Sequence, residues 1–148
     1  MSVRLLALFI AGFSGVTMAL QGTLNAALSK VIGILEATFV VHAVGLVFVS
    51  LLLFAFKLGD GKLELLSRAP LYTYLGGILG VIIVYCVMRS IPKVGVAPAT
   101  TAIILGQVLT AGLIDHFGLF SMEKLSFSWC RVGGTLLMAG GAWLILRK

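Results

Sequence analysis

The chain has 148 residues, 60% of them hydrophobic and only 11% charged, with a mean hydropathy of +1.16. Soluble domains carry about 25% charged residues, so a water-soluble fold is excluded, and one transmembrane domain over residues 1–148 is the simplest expectation. The net charge of +6 does not indicate nucleic acid, because the basic residues stand singly at the ends of apolar runs, where they meet lipid phosphates.

The first apolar run, residues 5–28, follows one positive charge, as in a signal peptide. It is longer than a typical signal core, and Gln21 and Asn25 stand where a cleavage motif would be expected. It reads as a retained first transmembrane helix. Ser29–Leu35 is expected to turn. The second run, 36–56, closes at Lys57, and the polar connection after it carries an Asp60-Gly61 turn signal and a short amphipathic KLELLSR piece. Pro70 suits a helix start before the third run, 71–88. Ser90–Lys93, with Pro92, reads as a tight turn. The fourth run spans 94–114, His116–Phe127 is expected as a loop, and the fifth run spans 128–146 with Arg131 in its first turn. These spans predict an all-α transmembrane five-helix bundle. No internal repeat is legible.

Five spans place the termini on opposite sides. Arg4, Lys57, Lys62, Arg68, Lys124 and Arg131 fall on the side of the N-terminus. Lys30, Arg89, Lys93, Arg147 and Lys148 fall on the other. Orientation follows the excess of positive charge, and here there is almost none. Either a few positions dominate, or copies insert both ways and pair antiparallel.

Polar residues recur at helical spacing. Ser14, Thr17, Gln21 and Asn25 share one face of the first helix. Thr38 and His42 share one on the second, with Glu36 at its entrance. Thr100 and Gln107 share one on the fourth. Such groups either hydrogen-bond between helices or line a cavity, because polar side chains in the bilayer are costly without a partner. Most lie in the leaflet opposite the N-terminus. An inverted partner would supply the same cavity from the other side, the geometry of secondary transporters.

Glu36 reads either as a solvated carboxylate at a helix start or as a cavity-facing group giving charge selectivity or coupling. His42 is a candidate proton carrier or a neutral inter-helix donor. Asp115 and Arg131 fall at one interface, where a structural ion pair is expected. Gly76 and Gly80 form a GxxxG that permits close helix packing. Cys86 and Cys130 read as small buried hydrophobes. Metalloprotease, nucleophile-elbow and phosphate-loop motifs are absent. No catalytic residue, metal site or cofactor is expected.

Three motifs carry a resemblance. Gln21-x-x-x-Asn25 ends the first helix, Gly106-Gln107 lies in the fourth, and Asp115-His116-Phe117-Gly118-Leu119 ends it. This pattern, over essentially the whole chain, resembles the YdcZ-like family of five-helix membrane proteins in the drug/metabolite transporter superfamily. The resemblance implies a multi-pass protein of the bacterial inner membrane. It also implies half of an inverted ten-helix fold, completed by an antiparallel homodimer or a sister five-helix chain. It supplies no substrate. The small multidrug resistance branch has a membrane glutamate in its first helix, and this chain has only amides there, so coupling would fall to Glu36 or His42. The expected function is secondary transport of a small metabolite or organic cation by alternating access, with Gln21, Asn25, His42, Thr100 and Gln107 binding the substrate. The alternatives are a flippase for a lipid-linked substrate and a non-transporting subunit that stabilises a partner.

Overall fold

The structure, a computed structural model, describes residues 2–124 and 128–147. Residues 125–127 of the expected loop and Lys148 lie outside the described residues. Among the described residues five helical segments, Val3–Ile32, Ile34–Ala55, Leu71–Val94, Val96–Phe117 and Trp129–Leu146, are long and apolar enough to cross a membrane. Their α-helices are α1 (Val3–Ile32), α2 (Ile34–Ser50), α3 (Leu75–Val94), α4 (Val96–Phe117) and α5 (Trp129–Leu146). The large apolar side chains on all five are mostly exposed, as a lipid solvent requires. Among the described residues there is no strand.

The turns are shorter than the sequence suggests. The expected turn at Ser29–Leu35 contracts to Gly33 alone, and α1 continues through Lys30. Likewise Ser90–Lys93 is helical and the break falls at Gly95, with Pro92 tolerated in the last turn of α3. A proline there removes only one helix hydrogen bond, close to carbonyls that are already without partners. Gly33 has φ 98, ψ 159 and Gly95 has φ 93, ψ 164. This region is essentially confined to glycine. Each glycine carbonyl accepts the first bond of the following helix, from Ala37 at 3.1 Å and from Ala99 at 3.2 Å.

The repeat that the apolar runs conceal therefore appears at these joints. Gly33-Ile34-x-x-Ala37-Thr38 matches Gly95-Val96-x-x-Ala99-Thr100. Residues equally distant from the two glycines are buried in both segments, namely Ala26 and Met88, Ser29 and Ile91, and Ala37 and Ala99.

At its far end α2 passes into one π-helical turn, Leu51–Ala55. Two 3₁₀ turns follow, Leu63–Arg68 and Leu71–Tyr74. The Tyr74 hydroxyl donates to the Leu66 carbonyl at 2.6 Å and ties this connection down. The chain divides into two compact units, one running to Lys93 and the other from Val94.

In the first unit burial is concentrated where α1 ends, α2 begins and α3 ends. Gly22, Asn25, Ala26 and Ser29 of α1, Ala37 and Thr38 of α2, and Met88 and Ile91 of α3 are buried there. Small residues let membrane helices approach closely, because packing rather than water exclusion drives their association. Gly22 is the tight point. A Cβ added to it would lie 3.0 Å from Val87 Cγ1 and 3.3 Å from Ile91 Cδ1. The close approach within this unit does not fall at Gly76 or Gly80. Gly76 has open space beside it, and the nearest neighbour beside Gly80 is the His42 ring.

In the second unit α4 packs on α5, with Ala99 and Ala142 buried. Gly118, left-handed at φ 63, caps α4 and donates to the Ile114 carbonyl. Arg147 stacks on Trp143, 5.0 Å from the ring centroid. This pair suits the membrane interface, where aromatic and cationic side chains act as anchors.

Candidate functional site

Hydroxyl groups in lipid must find an acceptor, and the nearest is the carbonyl one turn back. The Ser14, Thr17, Thr23, Ser29, Thr38, Thr101 and Thr135 hydroxyls each donate to a carbonyl of their own helix at 2.7–2.9 Å. They are satisfied locally and do not bridge helices.

The amides differ. Among the described residues the Gln21, Asn25 and Gln107 side chains make no hydrogen bond to protein. Gln21 and Gln107 are exposed. Asn25 is only 7% exposed and lies one turn from Gly22, on the face that meets α3. Among the described residues no fully buried side-chain nitrogen or oxygen lacks a partner, so the part of Asn25 that stays open is its amide.

His42 is oriented by its own helix. Its Nδ1 lies 2.8 Å from the Thr38 carbonyl oxygen. A carbonyl can only accept, so Nδ1 carries the hydrogen. The neutral ring then has its lone pair on Nε2. That atom turns toward Gly80 of α3, 3.8 Å from where a Cβ would stand. A proton can be added at Nε2 without breaking the bond that holds the ring. The Thr38 side chain, 4% exposed, packs one turn below.

Depth can be counted from Gly33. At ~1.5 Å per residue, Asn25 and His42 lie about 12–14 Å from the joint on their respective helices. They share one unit and one level. Gln21 lies about 18 Å from the same joint. Thr100, half-buried, and Gln107, near the middle of α4, belong to the second unit.

Glu36 is exposed at the start of α2, where the positive end of the helix dipole favours a carboxylate. Its side chain folds back over the joint, so a side chain on Gly33 would run into it. Asp115 and Arg131 both line one groove in the second unit. The expected ion pair between them is not formed among the described residues. They face the same space from α4 and α5 without closing on one another. Cys86 and Cys130 are exposed rather than buried, because the faces that carry them are apolar surface toward lipid. No group of three or more His, Cys, Asp or Glu residues able to hold a metal occurs among the described residues.

Sequence spacing finds the amides and His42, and finds Gly80 only as half of a packing motif; its place beside the His42 ring is visible only once α3 lies against α2. Spacing does not find Ser128, which joins Asp115 and Arg131 on the groove wall. The repeated G-[IV]-x-x-A-T was the available signal for the two joints.

Residues 6–144 match the family described as "Putative inner membrane exporter, YdcZ". A similar relative is the "Inner membrane protein YdcZ" of Escherichia coli (strain K12), 29% identical over 137 residues that cover 91% of each chain. No solved structure matches.

Proposed function

This chain belongs to the YdcZ family of inner-membrane exporters, and from that premise we propose that it exports a small polar metabolite or organic cation as a proton-coupled secondary transporter. It works by alternating access as an antiparallel dimer, with itself or with a sister five-helix chain. One observation carries the reading. Asn25, a residue only 7% exposed, keeps its amide open and without a protein partner at membrane depth, level with a histidine whose open nitrogen is its proton acceptor. A substrate donor or acceptor would satisfy the amide, and the Nε2 lone pair would alternate between proton and substrate.

The second copy is supported by what one chain leaves open. Ser14, Thr17 and Gln21 form an exposed polar stripe on α1, Gln107 is exposed near the middle of α4, and Gly76 faces empty space. The Gln21 and Gln107 amides, which make no bond within the chain, need a neighbour other than lipid. The nearly balanced positive charge permits insertion in both orientations, which would give two cavities, one open to each side. Glu36, at the mouth, favours cationic substrates.

Reconstituted protein tests this directly. In liposomes bearing a pH gradient, wild type is expected to move protons in exchange for substrate, with a saturable rate. His42→Gln removes the proton-driven component while leaving exchange at equal pH. Gly80→Leu has the same effect by covering Nε2. A wild-type rate indifferent to the gradient, or a fully coupled Gly80→Leu protein, would sink the coupling assignment.

A further inference from the structure

A second polar site lies in the other unit. Between the end of α4 and the start of α5 runs an open groove of about 630 Å³, within the ~300–1,000 Å³ range of small-ligand sites. Its polar rim carries Asp115, half-buried in the last turn of α4, and Arg131, in the first turn of α5. Ser128 completes the rim. It stands at the N-cap of α5 without making a side-chain capping bond. Below the rim the walls are Leu109, Leu113 and Leu136. Gly112 leaves the floor open, since a Cβ there would meet nothing within 4 Å.

The charges are placed against the helix dipoles. A carboxylate is disfavoured near a helix C-terminus and a guanidinium near an N-terminus, yet Asp115 and Arg131 occupy those positions and do not pair. A ligand bearing both charges would relieve each of them. An ammonium would sit at Asp115. A phosphate would accept from Arg131, whose forked donors fit it bidentately, and from the Ser128 hydroxyl. The order of polar rim and apolar wall selects the source. The rim is at the membrane interface and the leucines run toward the bilayer centre. That is how a phospholipid lies, and a water-soluble zwitterion would leave the leucine wall unused.

We propose that this groove holds one zwitterionic phospholipid with a primary amine, its headgroup across Asp115, Arg131 and Ser128 and one acyl chain along Leu109, Leu113 and Leu136. A primary ammonium donates hydrogen bonds to a carboxylate and a quaternary one cannot. The site therefore distinguishes phosphatidylethanolamine from phosphatidylcholine. The Asp115 carboxylate on the rim disfavours an anionic headgroup with no amine.

Purified full-length protein in detergent, supplied with phosphatidylethanolamine, phosphatidylcholine and phosphatidylglycerol in equal amounts, reports the bound lipid by native mass spectrometry. Phosphatidylethanolamine is expected to be retained about tenfold over each of the others. Asp115→Asn brings the ethanolamine and choline lipids level, and Asp115→Glu restores the preference. Gly112→Leu, which fills the floor, lowers retention of all three. Equal retention by wild type, preference for the glycerol lipid, or an unchanged preference in Asp115→Asn overturns the proposal. So does equal competition by free phosphoethanolamine, which would make the site one for a soluble zwitterion, and so does absence of lipid because a second copy fills the groove. The readout is lipid retention rather than flux, so the result stands apart from the transport reading.

Discussion

The two glycine joints have one backbone solution and two chemistries. Gly33 and Gly95 share torsions, the first helical bond that follows, and the burial of residues at matching distances. The side chains around them diverge. Asn25, Glu36 and His42 around the first joint correspond to Val87, Pro98 and Ile104 around the second. The repeat conserves the turn and the packing, which are general requirements of a short connection in lipid. The unpartnered amide, the entrance carboxylate and the open imidazole nitrogen occur around the first joint only. The comparison therefore separates what builds the fold from what the fold is proposed to do.

Substitution at matched positions should sharpen that contrast. The largest effect is expected at a polar position beside the first joint, set against an apolar position beside the second. Asn25→Leu should cut transport by roughly 10- to 100-fold, the loss of one or two buried hydrogen bonds to substrate. Ile104→Leu at the position matching His42 should leave it unchanged. Equal losses in liposome flux would erase the division between the joints.

The backbone of each joint comes next. Gly33→Ala and Gly95→Ala should each cost about 1–3 kcal/mol, because a Cβ is strained at these torsions. Gly33→Ala should be the worse, since it also displaces the Glu36 carboxylate, whereas Gly95 meets only Pro98 Cδ at an ordinary 3.7 Å. Unfolding in detergent measures both, and a neutral result at either glycine would break the equivalence.

Packing beside the first joint gives a smaller change. Gly22→Ala is expected to destabilise by about 1–3 kcal/mol through overpacking against Val87 and Ile91. Val87→Ala should relieve part of that loss in the double variant, a coupling that a mutant cycle reads out. The smallest effect belongs to Thr38→Val, at no more than about 1 kcal/mol. Its hydroxyl bonds its own helix at 2.7 Å, and the methyl group keeps the packing. A larger loss would mean that the hydroxyl serves something beyond α2.

Much of this was legible in the residues. The five spans follow from apolar runs bounded by charge, and the polar faces follow from their spacing. The turn positions did not, because Lys30 and Pro92 look like interruptions. A lysine in the last turn of α1 is instead favourable to its dipole, and a proline late in α3 costs little. The ion pair expected of Asp115 and Arg131 rested on shared depth alone, and depth does not bring two side chains within bonding distance. Gly76 and Gly80 form one packing motif in the sequence. The structure gives its members different surroundings, open space for one and the His42 ring for the other.

The sequence by itself determined that this chain lives in the membrane, how many times it is able to cross, and which residues are polar at depth. Those properties depend on the transfer of each segment from water to lipid, which is additive along the chain. The tertiary structure alone decided which polar groups are satisfied. It showed hydroxyls closing on their own helices, an open amide on an otherwise buried residue, and an imidazole with one nitrogen bonded and the other turned toward a glycine. Satisfaction depends on distance and direction between groups far apart in sequence, and no additive property of the chain carries that information.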